Sequence, residues 1–321
     1  MDSELMHRPV LLDEAVEALH IRPGGRYVDG TFGRGGHSGA ILGRLNDDGG
    51  LLAFDKDPAA LESAKRFLGD RRFSMVRGSF AMLRPTAEAR GLLGRIDGVL
   101  LDLGVSSPQI DDPTRGFSFQ NDGPLDMRMD NASGPTAADW VATASEDEMA
   151  QVFREYGEER FARRVARAIV AARGDRAILS TARLAAIVAD AIPTRERGKN
   201  PATRTFQAIR IRINRELDDL DEALLQAVDC LAAGGRLAVI SFHSLEDRRV
   251  KRFMRDESRG RPVPRGVPVR ADHPTGARLR LVGKAMKAGD EELRANPRAR
   301  SAVLRVAERL PGDGAAVGGV A

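Results

Sequence analysis

Asp29, Gly30, Gly33, Gly35, Gly36 and Asp55 are the residues whose types and spacing could do chemistry. The glycines fall in the run Asp29-Gly-Thr-Phe-Gly-Arg-Gly-Gly-His37. A backbone free of side chains at such positions can turn sharply and approach a ligand closely. Asp55 follows the last glycine at about the 20-residue interval at which an acid closes an adenosine site. A carboxylate there accepts hydrogen bonds from the two hydroxyls of a ribose. The glycine order is not the G-x-G-x-x-G of a pyrophosphate-binding turn. Asp29, just before the glycines, would repel a pyrophosphate but suits a cationic amino-acid end. The pattern therefore favours S-adenosylmethionine, which carries an ammonium, a sulfonium and a ribose, over NAD. A tight turn with no ligand is the bland alternative.

Further candidates lie beyond this turn. His37 either contacts the carboxylate of the cofactor's methionine end or caps the helix that follows. Phe80, in Gly78-Ser79-Phe80, either packs on an adenine or belongs to the core. Asp102 ends the run Ile96-Asp-Gly-Val-Leu-Leu-Asp-Leu, and a loop from Leu103 through Ser106 to Gln109 follows it. That loop is expected where cofactor and acceptor meet. A carboxylate or carbonyl there can accept a hydrogen bond from an acceptor amine, helping its lone pair leave conjugation, and the surplus proton needs a route out. Asp102 could equally be structural or cofactor-binding. His243, in Ser241-Phe-His-Ser-Leu-Glu-Asp247, either orients the acceptor or relays a proton, or it caps a helix with Ser244. The five histidines show no ligand-like spacing, and no metal site is expected.

The elements needed to position these residues are legible as alternating strands and helices. Strands are expected at Arg26–Asp29, 51–55, Phe73–Arg77, 96–103 and 236–242, with a last pair at 279–284 and 302–307 as a hairpin. The alternation predicts a parallel sheet covered on both faces, with ligands at the strand C-termini. From residue 108 to about 205 the pattern is helical only. Ser145 and Glu148 are spaced as a capping box, and Ser180 and Thr181 open another helix. Trp140 reads as the core anchor of this segment rather than as a platform for a base. One long amphipathic helix is expected over 206–232, with Ile209, Ile213, Leu217, Leu220, Leu224 and Val228 on one face and Gly234-Gly235 stopping it. The domain organisation expected is a sheet domain in two parts, 1–107 and 206–311, around a helical insert at 108–205, with a glycine-rich tail at 312–321.

Composition narrows the class. The chain has 321 residues, 42% of them hydrophobic, enough for two domains with real cores. A single cysteine, Cys230, excludes an internal disulfide and a cysteine-rich zinc site, and its apolar setting marks it as a buried filler. The N-terminus is charged throughout and no stretch reaches about 20 apolar residues, so a cytoplasmic protein without a membrane span is expected. Net charge is +4, but Lys and Arg cluster. Seven lie between Pro193 and Arg215 against Glu196 alone, and nine between Arg248 and Arg270 against Asp256 and Glu257. Such clusters either track a phosphate backbone or form a solvated surface; beside a methyl-donor site they favour a nucleic-acid substrate.

Eight segments then coincide with one family. They are His7-Arg-Pro-Val-Leu-Leu, Asp29-Gly-Thr-Phe-Gly-Arg-Gly-Gly-His-Ser, Phe54-Asp-Lys-Asp, Leu101-Asp-Leu-Gly-Val-Ser-Ser-Pro-Gln, Arg115-Gly-Phe-Ser-Phe, Leu125-Asp-Met-Arg-Met-Asp, Asn200-Pro-Ala-Thr-Arg-Thr-Phe-Gln-Ala-Ile-Arg-Ile and Ser241-Phe-His-Ser-Leu-Glu-Asp. In these segments, which run in order along nearly the whole chain, it resembles the bacterial 16S ribosomal RNA cytosine N4-methyltransferases. The resemblance implies a class I, Rossmann-like α/β methyltransferase sheet with an inserted all-helical domain. It implies methylation of a cytidine N4 in the decoding region of small-subunit rRNA, on an assembled particle. A monomer or homodimer is expected.

The same resemblance implies a donor site of Gly35, Gly36, His37, Asp55, Phe80, Asp102 and Gln109, joined by Asp29 and Gly33 of the glycine turn. Asp102, Ser106 and His243 are the candidates for chemistry. Many DNA amino-methyltransferases carry an acid- or serine-started Pro-Pro-aromatic motif after the fourth strand. Asp102-Leu-Gly-Val-Ser-Ser-Pro replaces it here, so their catalytic geometry does not carry over. Arg195, Arg197, Lys199 and Arg204 are the candidate rRNA contacts. The rival readings are a non-catalytic rRNA-binding assembly factor that binds the cofactor, and an NAD oxidoreductase, which the glycine spacing disfavours.

Overall fold

The computed structural model describes residues 8–194, 200–260 and 276–311. The chain divides into two compact units, Met1–Gly104 with Asp218–Ala321, and Val105–Leu217. The expected boundaries at 107/108 and 205/206 thus compare with 104/105 and 217/218.

The first unit is built on a sheet of seven strands among the described residues. They are β1 (Arg26–Asp29), β2 (Gly50–Asp55), β3 (Phe73–Arg77), β4 (Ile96–Asp102), β5 (Leu231–Ser241), β6 (Leu279–Leu281) and β7 (Val303–Arg309). Their spatial order is β3-β2-β1-β4-β5-β7-β6. The first five pair in parallel, while β7 runs antiparallel to both β5 and β6. The last two strands pair as expected, but residues 282–302 and the helix Asp290–Ala295 separate them, so no tight turn joins them.

Continuous apolar runs form the central strands because both of their faces are covered. Alternate side chains go to opposite layers. Tyr27, Leu51, Ala53 and Leu100 enter one core with the helices Leu12–Ala18 and Gly36–Leu42. Val28, Leu52, Phe54, Val99 and Leu101 enter the other with Leu83–Ala89, Glu216–Cys230 and Ser244–Arg259. Cys230 is fully buried in that second layer, where burial pushes its thiol up to about 11. This is the expected class I α/β sheet. The order in which strands are added reverses between β1 and β4, which stay parallel, and such a switch point opens a crevice at the strand C-termini.

The second unit packs the helices Ala137–Thr143, Glu146–Gly157, Ala162–Asp175, Thr181–Ala191 and Thr203–Asn214 around Met149, Phe153, Val165, Ile169, Leu184, Val188 and Ile209. Trp140 is the anchor expected. Its ring meets Phe153 edge to face at 6.2 Å, and its indole N–H donates to Glu148 Oε1 at 2.9 Å. Ser145 and Ser180 cap their helices by accepting from the backbone N–H of Glu148 and Arg183.

The single helix expected over 206–232 is two helices, Thr203–Asn214 and Glu216–Cys230. Arg215 between them is left-handed, with φ 54°. Asn214 turns its amide back onto Arg210 O at 2.9 Å and Met127 O at 2.8 Å. Arg210 grips Glu216 across the break through two bonds of 2.8 Å. The apolar stripe is therefore split: Ile209 enters the helical core, whereas Leu220, Leu224 and Val228 enter the sheet core. The tail at 312–321 lies outside the described residues.

Candidate active site

The glycine turn begins where β1 ends. Gly30 N–H donates to Leu100 O at 2.9 Å, and a Cβ at Gly30 would come within 2.4 Å of Leu101 Cδ2. Gly33 and Gly35 have φ of 56° and 75°, the left-handed region where glycine avoids a Cβ clash. Gly36 opens the helix Gly36–Leu42, and its missing Cβ leaves room for the Pro9 ring. The turn is thus shaped by close packing against the chain itself as well as by its φ angles.

Asp29 is fully buried. Its two oxygens accept from Thr31 N–H at 3.1 Å and Ser38 Oγ at 2.6 Å, tying β1 to the following helix. Burial pushes its carboxyl up, against these hydrogen bonds. Asp55, at the end of β2, accepts from Gly33 N–H at 2.8 Å and Asp57 N–H at 2.9 Å. The ribose acid expected from sequence is therefore joined directly to the glycine turn. Burial raises its carboxyl to about 6, despite the two N–H groups that favour the charged form.

Asp102 ends β4, and its N–H donates to Thr31 Oγ1 at 2.7 Å. His37 Nδ1 lies 3.5 Å from Asp102 Oδ2. Burial lowers His37 to about 4, so the ring is neutral at ordinary pH. Burial, followed by the charges of Asp29 and Glu246, pushes Asp102 well above the usual carboxylate range. His37 Nε2 and Asp102 Oδ1 are buried without a hydrogen-bond partner among the described residues. An unpaired buried polar group costs ~1–3 kcal/mol, so two on neighbouring side chains call for a partner, which a bound ligand can supply. S-adenosylmethionine fits such a place, since its ammonium and ribose hydroxyls donate and its carboxylate accepts.

Phe80 is half-buried. Its Cβ would stand 3.1 Å from a Cβ at Gly30, and the ring packs beside the second core layer, so it lines the turn while belonging partly to the core. His243 takes the cap position of Ser244–Arg259. Its Nδ1 accepts from Glu246 N–H at 3.4 Å, and Glu246 Oε2 accepts from the N–H groups of Phe242 and His243 at 2.8 and 3.2 Å.

The first unit therefore brings together Asp29, Gly33, Gly35, Gly36, His37, Asp55, Phe80 and Asp102. Ser106 and Gln109 belong to the second unit, where Ser106 N–H donates to Gln109 Oε1 at 2.8 Å at the start of the short helix Ser107–Asp111. Sequence reasoning missed Thr31 and Ser38, which hold the carboxylate and the β4 backbone in place. Their only signal was a pair of hydroxyls two and nine residues after Asp29.

The basic clusters are only partly described. Arg195, Arg197, Lys199, Arg261, Arg265 and Arg270 lie outside the described residues. Arg249 and Arg255 are paired with Asp221 and Asp256. No described helix is long and apolar enough to cross a membrane.

A sheet of this order, parallel from β3 through β5 with β7 antiparallel between β5 and β6, with a glycine turn after β1 and an acid closing β2, defines a class I methyltransferase architecture. The sequence profile of the MraW methylase family matches residues 4–310, and the chain belongs to that family. Among its relatives is the ribosomal RNA small subunit methyltransferase H of Thioalkalivibrio sulfidiphilus, 63% identical over 95% of this chain and 97% of the relative. Proteins of the same name from Thiobacillus denitrificans and Shewanella baltica are 59% and 57% identical, each over 97% of this chain and 100% and 99% of their own lengths.

Proposed function

We propose that the protein transfers a methyl group from S-adenosylmethionine to the exocyclic N4 amine of a cytidine in the decoding region of 16S rRNA, on the assembled small subunit. Family membership and the rRNA methyltransferase names of its relatives support the substrate class. The observation that carries the chemistry is Asp102 Oδ1, buried and without a partner among the described residues, beside the neutral His37 at the switch point.

In this reading Asp55 holds the ribose hydroxyls and Phe80 packs on the adenine. The backbone of Gly33, Gly35 and Gly36, with Asp29 behind it, shapes the turn for the methionine end. His37, Asp102 and Gln109 complete the donor site. When bound, S-adenosylmethionine supplies a methyl already activated by its sulfonium, so the chain chiefly positions, excludes water and handles a proton. The carboxylate form of Asp102 accepts a hydrogen bond from the amine, and its raised proton affinity lets it take the proton that methylation releases. Ser106 and His243 orient the acceptor. The protein works in the cytoplasm, as a monomer or homodimer.

The test is transfer of labelled methyl to unmethylated 30S subunits and to naked 16S rRNA, with nucleoside analysis of the product, for wild type and Asp102→Ala. N4-methylcytidine on 30S alone supports the reading. No product on either substrate, with donor and subunit both bound, favours a non-catalytic assembly factor.

A further inference from the structure

Asp219 is a buried carboxylate on the helix Glu216–Cys230, outside every motif of the donor site. Its Oδ2 is the meeting point of two loops. Lys56 Nζ pairs with it from the loop after β2, and Ser79 Oγ donates to it at 2.6 Å from the loop after β3. Lys56 follows Asp55 in sequence, and Ser79 precedes Phe80. Ser79 Oγ in turn accepts from Ala81 N–H at 3.1 Å, which fixes the start of the turn Phe80–Met82.

Gln226 lies seven residues on, two turns along the same helix face. It donates to Ala81 O at 2.7 Å and accepts from Arg84 N–H at 2.7 Å. Asp229, three residues further, pairs with the Arg84 guanidinium at 2.6 Å. This helix is thus bonded at Asp219, Gln226 and Asp229 to the segment that carries Phe80, and at Asp219 also to the neighbour of Asp55.

We propose that Asp219 and Gln226 are positioning residues, a splint that sets the Asp55 and Phe80 loops at the spacing needed to grip the adenosine end of the donor. The proposal rests on the donor placement given above. Asp219 touches no reacting atom, so its work appears in donor affinity and not in the chemical step. A charged acceptor holding two donors is stronger than a neutral one, and its loss frees both loops at once.

The experiment measures binding of S-adenosylhomocysteine and of adenosine to Asp219→Ala, Asp219→Asn, Ser79→Ala and Gln226→Ala, with donor KM, kcat and the melting temperature of the ligand-free protein. Asp219→Ala should weaken both ligands by the same factor, about tenfold for the loss of a charge-assisted hydrogen bond. Donor KM should rise in step while kcat moves less than about twofold. Asp219→Asn, which keeps an oxygen but loses the charge, should fall between. Ser79→Ala removes one bond from the loop side and should weaken binding even where Asp219→Ala folds poorly.

Asp55→Ala and Phe80→Ala serve as references. If they weaken binding while Asp219→Ala, Ser79→Ala and Gln226→Ala bind as wild type, the splint is overturned and the donor placement stands. If the references also bind as wild type, the placement itself fails and takes the splint with it. A fall in kcat at unchanged KM would also overturn the proposal.

Discussion

Asp102 Oδ2 lies 3.5 Å from His37 Nδ1, and each side chain has its other polar atom buried without a hydrogen-bond partner among the described residues. Burial lowers His37 and raises Asp102, so neither is driven to carry charge by the other. Two buried side chains whose charged forms are both disfavoured form a site whose stability is surrendered to function. An Asp102→Asn chain keeps the shape and an accepting oxygen but cannot take a proton. We expect donor binding within about threefold of wild type and a kcat lower by about 100-fold or more.

The same substitution should leave a stability signature. The folded pKa of Asp102 is above its ordinary value, so the folded chain binds that proton more tightly than the unfolded one. The resulting stability is full below the unfolded pKa near 4 and is lost as pH rises toward the folded value. Asparagine has no such loss. Melting temperature at pH 8 should therefore be higher for Asp102→Asn than for wild type, and the difference should shrink by pH 4. An equal difference at both pH values would show that folding does not raise the proton affinity of Asp102.

Donor affinity should depend on pH through Asp55, whose carboxyl stands at about 6. Only the charged form can accept from both ribose hydroxyls, so binding at low pH must first remove a proton. Titration calorimetry with S-adenosylhomocysteine should show affinity flat above pH 7 and falling below about 6, by up to about tenfold per pH unit. His37, at about 4, stays neutral through that window and does not contribute. Asp55→Asn should bind weakly and without this pH dependence.

The sheet was legible because its central strands are short apolar runs buried on both faces, and the glycine turn because clustered glycines mark backbone that takes left-handed φ or packs closely. Other features had no such signal. A histidine at a strand end looks the same whether it caps a helix or handles a proton, and the structure gives His243 the reciprocal cap with Glu246. Hydrophobic spacing across 206–232 is continuous, so nothing in it reveals that Arg215 is left-handed. The Lys56–Asp219 pair joins residues 163 apart, and such contacts have no trace in a local pattern.

Gly36 is a steric requirement that can be tested without any ligand. A Cβ there would stand 2.2 Å from Pro9 Cγ and 2.9 Å from Pro9 Cδ, and a proline ring has little freedom to yield. Gly36→Ala should destabilise the chain by ~1–3 kcal/mol. Pro9→Ala removes the clashing atoms and should recover most of that loss in the double variant. No recovery would mean that Gly36 is needed for another reason.

Asn214 makes the break in the long helix specific. Its amide donates to Met127 O and Arg210 O, and its Oδ1 accepts from Met129 N–H at 2.7 Å. Asn214→Ala leaves these backbone groups without that partner and should cost about 1–3 kcal/mol. Asn214→Asp should cost at least as much at pH 7, because a carboxylate keeps the bond from Met129 but faces two carbonyl oxygens. Trp140 is the only tryptophan and lies in the same helical core, so urea unfolding followed by its fluorescence reads this unit. If aspartate is tolerated better than alanine, the Met129 bond outweighs the two amide donors. The break would then be held by acceptance at Oδ1 rather than by the return of the side chain onto Arg210.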